Sequence, residues 1–353
     1  MMNMLNQALQ QTAQAEIQLS TPIQLKQQFP LQSSLAAQIT EQRQTIQNIL
    51  TGKDSRLMVI TGPCSIHDPV AALEYAQKLK NLQHLVSDQI FLVMRTYIEK
   101  PRTTIGWKGY MYDPNLDGSS NLQLGLEKSR ELFLNIIEMG LPIASEILSP
   151  MATGYFDDLL AWGAIGARTS ESQIHREISS HMPFAIGFKN GTDGSIQIAL
   201  DAIQSASHVH QFMGMGQHGL PCVLESEGNR LAHLILRGSN SGSNYDLETI
   251  NAIHERHQGL LPALVIDCSH GNSAKNPLNQ PEVLSQIIAE RKESHVRGVM
   301  LESHLLDGQQ KISENMMYGQ SVTDGCLGWE KTQKLLLDMH QKMQTESSAL
   351  VCV

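Results

Sequence analysis

The stretch LMVITGPCSIHDPVAALEYAQKLKNLQHLVSDQIFLVMR, residues 57–95, carries the pattern on which the fold depends. Short apolar runs at 57–62 and 90–95 enclose a segment, beginning near 69, whose apolar residues recur at helical spacing. Continuous apolar runs are typical of strands buried on both faces of a parallel sheet, and the helical period indicates a helix that covers the sheet. The stretch therefore predicts one strand–helix–strand unit.

The same alternation continues along the chain. Further apolar runs, separated by segments of helical periodicity, are PIASE (142–146), WGAIGAR (162–168), FAIGFK (184–189), HLILRG (233–238), ALVIDCSH (263–270) and VRGVMLES (296–303). Together with the first two runs they predict eight strands, which is the number in an α/β TIM (β/α)₈ barrel. A doubly wound open sheet is the alternative fold.

The pattern divides the chain into a barrel and additions to it. The Gln-rich residues 1–50 are interpreted as an N-terminal extension outside the core that makes regulatory or oligomer contacts. The catalytic barrel is predicted at 51–345, with an inserted β-hairpin at about 208–229, and 346–353 are interpreted as a C-terminal tail.

The hairpin insertion contains two patterns that resemble binding motifs. Gly214-x-Gly216-x-x-Gly219 has the spacing of a dinucleotide fingerprint, but that fingerprint needs a helix after the glycines, and the strand-like LPCVL follows here. His208 and His210 have the spacing of a metal pair, yet no carboxylate or cysteine follows at ligand spacing. We therefore predict neither a dinucleotide site nor a metal site in the insertion.

Composition excludes several classes of function. The 353-residue chain has a net charge of −9 and 5% aromatic residues, which argues against a nucleic-acid binder. Its five cysteines are too few and too scattered for a disulfide framework and favour a reducing compartment. We see no signal peptide and no apolar run long enough to span a membrane, so a cytoplasmic location is predicted.

Cations cluster at the predicted carboxyl ends of the strands, where barrel enzymes carry their chemistry. They are Arg95, Lys100, Arg102, Arg168, Lys189 and Arg237. In an acidic chain, six cations at one barrel mouth would repel one another unless a highly charged anion occupied it. Arginine is suited to bidentate phosphate or carboxylate contacts. The pattern predicts a substrate that is an anion of high charge.

A second set of strand-end residues has the character of a metal site. Cys64, His270 and Glu302 follow the first, seventh and eighth strands, which are neighbours in a closed barrel, and Asp324 lies in the loop before the last helix. A thiolate, an imidazole and two carboxylates suit one divalent Mn²⁺, Fe²⁺, Co²⁺ or Zn²⁺ ion better than Mg²⁺ or Ca²⁺. A buried cysteine, a core histidine and surface carboxylates remain the ordinary alternative.

Several of these motifs together resemble a known family. GPCSIHDP (62–69), RTYIEKPRTTIGWKGYMYDP (95–114), WGAIGARTSESQIHRE (162–177), GFKNGTDGS (187–195) and DCSHGNS (267–273) are similar to those of class I, aromatic-amino-acid-regulated 3-deoxy-D-arabino-heptulosonate 7-phosphate (DAHP) synthase. The resemblance implies condensation of phosphoenolpyruvate with erythrose 4-phosphate, the first step toward aromatic amino acids. It also implies a homodimer or homotetramer.

The resemblance assigns a role to each candidate residue. It implies phosphoenolpyruvate contacts from Arg95, Lys100, Glu146, Arg168, Lys189 and Arg237. It implies that erythrose 4-phosphate is bound by Lys100, Pro101, Arg102 and Thr103. It implies a divalent metal on Cys64, His270, Glu302 and Asp324, and catalytic roles for Lys100, Glu146 and His270.

Regulation and redox behaviour are further expectations from the resemblance. It places an aromatic amino acid inhibitor near 149–154, 181–183, the N-terminal arm and the 208–229 hairpin. The sequence at 149–154 and 181–183 favours tryptophan or tyrosine over phenylalanine. Cys326 lies two residues past Asp324, so a Cys64–Cys326 disulfide is expected in oxidised, metal-free protein. Two competing functions remain at this stage: a Schiff-base aldolase that uses Lys189, and a non-catalytic metabolite sensor.

Overall fold

The computed structural model describes residues 16–256 and 263–351 of the chain. Its centre is a parallel sheet that contains a strand at every predicted run. In chain order the strands are β1 (Leu57–Gly62), β2 (Ile90–Arg95), β3 (Ile143–Glu146), β4 (Trp162–Ile165), β5 (Ala185–Lys189), β6 (His210–Met215), β7 (Pro221–Ser226), β8 (His233–Leu236), β9 (Leu264–Asp267), β10 (Val296–His304) and β11 (Leu327–Gly328).

The sheet closes on itself. Its order is β1-β2-β3-β4-β5-β8-β9-β10, and β1 also pairs with β10 in parallel. An open doubly wound sheet would leave both edge strands unpaired, so this pairing excludes the alternative fold. The closing register aligns Gly62 with Glu302 and thereby brings the carboxyl ends of the first and last barrel strands side by side.

Helices cover the outside of the barrel, and their first turns carry recognisable start signals. Asp68 Oδ1 accepts a hydrogen bond from Val70 N at 2.8 Å and Pro69 occupies the first turn of the helix that follows β1. The helices are α1 (Pro22–Gln28), α2 (Ser33–Leu50), α3 (Pro69–Val86), α4 (Leu122–Glu138), α5 (Thr153–Phe156), α6 (Gln173–His181), α7 (Gln197–Ala206), α8 (Leu247–Arg256), α9 (Gln280–Ala289), α10 (Arg291–Ser294) and α11 (Trp329–Val351). Two 3₁₀ helices lie at Pro150–Ala152 and Pro277–Asn279.

The N-terminal segment differs from the expectation that it lies outside the core. Ile46, Ile49 and Leu50, at the end of α2, are at most 2% exposed and pack with the side chains of the barrel interior, such as Met58 and Ile60. The last turn of α2 therefore covers the amino-terminal end of the barrel, and its apolar residues are part of the core. Residues 1–15 lie outside the described part of the chain.

The predicted insertion is a hairpin in which β6 and β7 pair antiparallel, between α7 and β8. Gly214 lies within β6 and a second strand follows Gly219, so the glycines do not open a helix. At the other end of the chain, α11 continues to Val351, past the predicted start of the tail at 346, and residues 352–353 lie outside the described part. In the described ranges, no helix combines the length and the apolar character needed to cross a bilayer.

Candidate active site

The carboxyl ends of the strands surround a cavity of about 200 Å³. All nine predicted substrate-binding residues line it: Arg95, Lys100, Pro101, Arg102, Thr103, Glu146, Arg168, Lys189 and Arg237. His270 and Asp324 line it as well. A larger cavity of about 700 Å³ adjoins it, shares Arg168, Arg237 and His270 and includes Glu302 in its wall. The geometry brings six cations to one opening.

The end of β1 lies unusually close to the end of β2. A Cβ at Gly62 would meet Arg95 O at 2.5 Å, so only glycine permits the approach. It allows Arg95 Nε to donate to Pro63 O at 3.1 Å and Arg95 Nη2 to donate to Cys64 O at 3.0 Å. The glycine of the GPC sequence thus positions both the arginine of the rim and the backbone of the cysteine.

Three of the four predicted metal ligands lie together. One ligand atom from each of Cys64, Glu302 and Asp324 lies within 4.8 Å of the other two. His270 is not part of this group, although its Nε2 is 3.9 Å from Glu302 Oε1. A thiol and two carboxylates are donors that suit a divalent transition metal, so the residues present fit the expected ion.

The electrostatics of the thiol agree with a metal-binding role. Complete burial and the nearby charge of Glu302 raise the pKa of Cys64 to about 11, against the opposing effect of Lys100. Below that pH the side chain is a neutral thiol unless a cation displaces its proton. A site with this chemistry takes up a metal ion with release of a proton.

Lys100 connects the metal donors to the substrate cavity. Its Nζ donates to Asp324 Oδ2 at 2.7 Å and to Cys64 Sγ at 2.9 Å. Burial works to lower the pKa of Lys100, but its interactions with Cys64 and Asp324 outweigh burial and hold that pKa above its ordinary range. The side chain is therefore an ammonium that faces both a phosphate-sized cavity and the donor group.

Arg95 forms the buried counterpart of Glu302. Their Nη2 and Oε1 atoms are 3.1 Å apart, both side chains are 2% exposed, and the guanidinium lies 3.5 Å from the centroid of the Tyr97 ring. A buried ion pair of this kind stays charged only when further contacts replace lost water. The pair fixes one donor oxygen beside the cavity floor.

Asp267 is a site residue that the sequence analysis missed. This buried carboxylate accepts from Lys189 Nζ at 2.7 Å, and its Oδ2 is 3.1 Å from His270 Nδ1. Burial would raise the pKa of Asp267, but Lys189 and His270 hold it well below its usual range. A carboxylate at Nδ1 leaves the Nε2 lone pair of His270 facing Glu302, an orientation common among histidines that bind metals. The available signal was an acidic residue inside the apolar run ALVIDCSH.

A smaller second cavity, of about 20 Å³, lies behind Glu146. Its wall includes Ser149, Ala152, Thr153, Phe156 and Met182, which fall in or near the segments predicted to bind an inhibitor. Glu146 lines both this cavity and the substrate cavity. The Glu146 residue therefore borders both spaces.

Glu99 lies in the wall of the second cavity, one residue before Lys100. Its Oε1 accepts from Tyr112 Oη at 3.3 Å and its Oε2 from Ser149 N at 3.3 Å. Burial, assisted by the charge of Glu146, raises the pKa of Glu99 to about 7. The second cavity thus borders the residue that precedes Lys100 in the chain.

Comparisons with known proteins agree with these observations. The family model described as "DAHP synthetase I family" matches residues 20–337. The chain is 46% identical, over 94% of its length and 95% of the relative, to the Escherichia coli protein "Phospho-2-dehydro-3-deoxyheptonate aldolase, Tyr-sensitive". It is 41% identical, over 94% and 93%, to the phenylalanine-inhibited enzyme of Saccharomyces cerevisiae. The solved structure of "Phospho-2-dehydro-3-deoxyheptonate aldolase" from Francisella tularensis superposes with a TM-score of 0.90 at 42% identity. The match covers 94% of this chain and 99% of that one.

Proposed function

The chain belongs to the DAHP synthetase I family, and we infer that it condenses phosphoenolpyruvate with D-erythrose 4-phosphate and water. The products are 3-deoxy-D-arabino-heptulosonate 7-phosphate and phosphate, and the reaction is the entry step of the shikimate pathway. The observation that carries this conclusion is the cavity at the strand ends, where six cations surround a space beside the group of metal donors.

The cations divide between the two substrates. We assign the carboxylate and phosphate of phosphoenolpyruvate to Arg95, Arg168, Lys189 and Arg237, and the phosphate of erythrose 4-phosphate to Pro101, Arg102 and Thr103. Arg168 Nη1 donates to Pro101 O at 3.4 Å, so the two subsites share a wall. Binding both anions in one cavity places the enol carbon of one substrate beside the aldehyde of the other.

Cys64, His270, Glu302 and Asp324 are the residues proposed to hold a divalent metal ion. The ion, when bound, supplies Lewis-acid polarisation of the aldehyde. Asp267 and Ser269 orient His270 for this role, since Ser269 Oγ lies 2.6 Å from His270 Nδ1. Mn²⁺, Fe²⁺, Co²⁺ and Zn²⁺ all suit such a donor set.

Proton transfer is assigned to the protein. As C3 of phosphoenolpyruvate attacks the aldehyde carbon, Lys100 donates a proton to the developing alkoxide, directly or through water. Water then adds at C2, and phosphate leaves with cleavage of its C–O bond. We assign the orientation of that water to Glu146, since this residue lines the cavity beside Gly166.

The test of this function is a phosphate-release assay. We expect release only when both substrates are present, loss of release with a chelator, and recovery on addition of Mn²⁺. A Schiff-base aldolase predicts the reverse: resistance to chelation, and a covalent adduct after borohydride treatment with substrate. The ion pair between Lys189 and Asp267 argues against that route, since it occupies the amine that would have to attack. An adduct on Lys189 in the mass spectrum would contradict the proposal.

We propose tyrosine as the feedback inhibitor, bound at the cavity behind Glu146, which has to widen from its volume of about 20 Å³ to admit the ligand. Relatives at 46% and 45% identity are named Tyr-sensitive, whereas the phenylalanine-inhibited one is 41% identical. We expect tyrosine to lower the initial rate more than phenylalanine or tryptophan does. Ala152→Leu, which fills the cavity, should relieve inhibition and keep the basal rate, whereas Met151→Leu at the exposed neighbour should change neither. Equal inhibition of both variants would contradict this location.

We propose that the enzyme is a cytoplasmic homodimer or homotetramer. The four described cysteines are free, as a reducing compartment favours. The hairpin exposes Val209, Met213 and Val223 to between 69% and 84%, an apolar surface of the kind that subunit contacts cover. Light scattering on the purified protein measures the subunit number directly.

Oxidation is expected to close a Cys64–Cys326 disulfide when the metal is removed. Cys64 N donates to Cys326 Sγ at 3.3 Å, so the two residues are already in contact. We expect two thiols fewer per chain after air exposure of chelated protein, and no loss in protein saturated with Mn²⁺. An unchanged thiol count in the chelated sample would contradict the prediction.

A further inference from the structure

A separate cavity of about 270 Å³ lies at the amino-terminal ends of the strands. Its wall includes Ser55, which precedes β1, Gln89, which precedes β2, and Val296, which begins β10. Parallel strands place these residues at the face opposite the substrate cavity. No residue of the proposed active site lines it.

The wall of this cavity is strongly basic. Arg291, Lys292 and Arg297 line it together with His295, and the only carboxylate in the wall is Glu346, whose Oε2 is 3.8 Å from Lys292 Nζ. Counting the histidine as neutral, three positive charges meet one negative charge. The cavity therefore carries an excess of about two positive charges in a chain whose net charge is −9.

Other carboxylates at this face do not neutralise the excess. Asp54 is bound to Arg56 at 2.6 Å and Asp88 to His340 at 2.6 Å. Residues 257–262 and 352–353, which lie outside the described part of the chain, contain no Asp or Glu, and neither does the end of α11 at 347–351. Glu290 and Glu293 are close to Arg291 in the chain, but neither lines the cavity.

Two guanidinium groups of the wall are held in place by the loop between α2 and β1. Arg291 Nη2 donates to Ser55 O, and a Cβ at Gly52 would meet Arg297 Nη2 at 2.7 Å. Gly52 has a φ of 75°, a conformation that glycine adopts without strain. Burial lowers the pKa of Arg291, and the neighbouring charge of Arg297 lowers it further. Such an arrangement is stabilised by an anion between them.

We propose that this cavity binds a phosphate group, either as inorganic phosphate or on a small phosphate monoester. Two preorganised guanidinium groups match the geometry of phosphate oxygens, and the excess of two positive charges matches the charge of the group near neutral pH. The volume leaves room for a skeleton of a few carbon atoms beyond the phosphate. Occupation of this cavity is independent of the reaction at the other end of the barrel.

The test measures phosphate binding by isothermal titration calorimetry in a background variant whose substrate cavity no longer binds phosphate. Arg168→Gln with Arg237→Gln serves as that background. We expect it to bind one phosphate per chain, and Arg291→Gln with Arg297→Gln to weaken this binding at least about tenfold. Lys342→Gln is the control: it also removes one positive charge, at an exposed site of α11, and it should not change the affinity for phosphate. Titration with glycerol 3-phosphate distinguishes a monoester site from a site for the free ion.

A second measurement separates binding from folding. Without phosphate, the double variant Arg291→Gln with Arg297→Gln should melt no lower than wild type, because the substitutions remove repulsion between cations. Addition of phosphate should raise the melting temperature of wild type more than that of the double variant. Substrate turnover should be unchanged in this variant. Equal phosphate affinity with and without the two arginines would overturn the proposal. The proposal would also be overturned if the double variant changed the subunit number while wild type bound no phosphate at this cavity. That result would assign the cations to contacts with an acidic surface of another subunit.

Discussion

Replacing Cys64 with serine should lower kcat/KM for DAHP formation by at least about a hundredfold. Cys64 is one of three side chains whose donor atoms lie within 4.8 Å of one another, and its sulfur is the only soft donor among them. A serine hydroxyl stays protonated near neutral pH and binds transition metals weakly. The measurements are phosphate release and metal content per chain, and both should fall together.

A matched substitution distinguishes loss of the metal from general damage. Cys268 is equally buried and lies just past β9, but it is not among the metal donors; its Sγ is 3.9 Å from Ile266 O, which a serine hydroxyl can contact instead. Cys268→Ser should therefore keep both metal and turnover. Full metal content with normal turnover in Cys64→Ser would contradict the proposed ligand set.

The same site should show a pH-dependent metal affinity. Since the pKa of Cys64 is raised to about 11, the thiol gives up a proton when the metal binds at any lower pH. The apparent affinity of metal-free wild-type protein for Mn²⁺ should therefore increase about tenfold for each unit of rising pH between pH 7 and 9. Cys64→Ser should lose this dependence.

The barrel could be predicted from the sequence because its strands are buried on both faces and therefore appear as continuous apolar runs. The strand ends could be predicted for the same reason, since the first polar residue after each run marks the rim. The role of α2 could not be predicted from the sequence. The apolar spacing of Ile46, Ile49 and Leu50 indicates a buried helix face, but it does not say which surface covers that face. The surface that covers this helix face is the amino-terminal opening of the barrel, and it exists only once the sheet has closed.

Charged residues inside the fold were harder to place than those at strand ends. Asp267 is the first residue of the quoted motif DCSHGNS, but its partner Lys189 is 78 positions away in the chain, so no local pattern indicates the contact. Arg291 and Arg297 look like an ordinary solvated charge run in the sequence. They become neighbours around a cavity because β10 and the α2–β1 loop meet when the barrel closes.

Replacing Lys100 with methionine should lower kcat by about 10²–10⁴-fold, the range of general acid catalysis. The ammonium is well placed as a proton donor, since its Nζ lies 2.7 Å from Asp324 Oδ2 and 2.9 Å from Cys64 Sγ, beside the substrate cavity. Methionine keeps the length of the side chain but has neither charge nor proton. The measurement is kcat and KM for each substrate with saturating Mn²⁺, together with metal content.

Two further variants separate proton donation from simple charge. Lys100→Arg keeps a positive charge beside Asp324 but holds its protons too firmly to act as an acid, so kcat should stay low while the KM for erythrose 4-phosphate recovers. Arg102→Gln, at the same cavity, should raise that KM and leave kcat within about tenfold. If Lys100→Met instead raises KM with kcat unchanged, the residue serves binding alone, and the proton must come from water. A normal kcat in Lys100→Arg would lead to the same conclusion, because only the charge would then be needed.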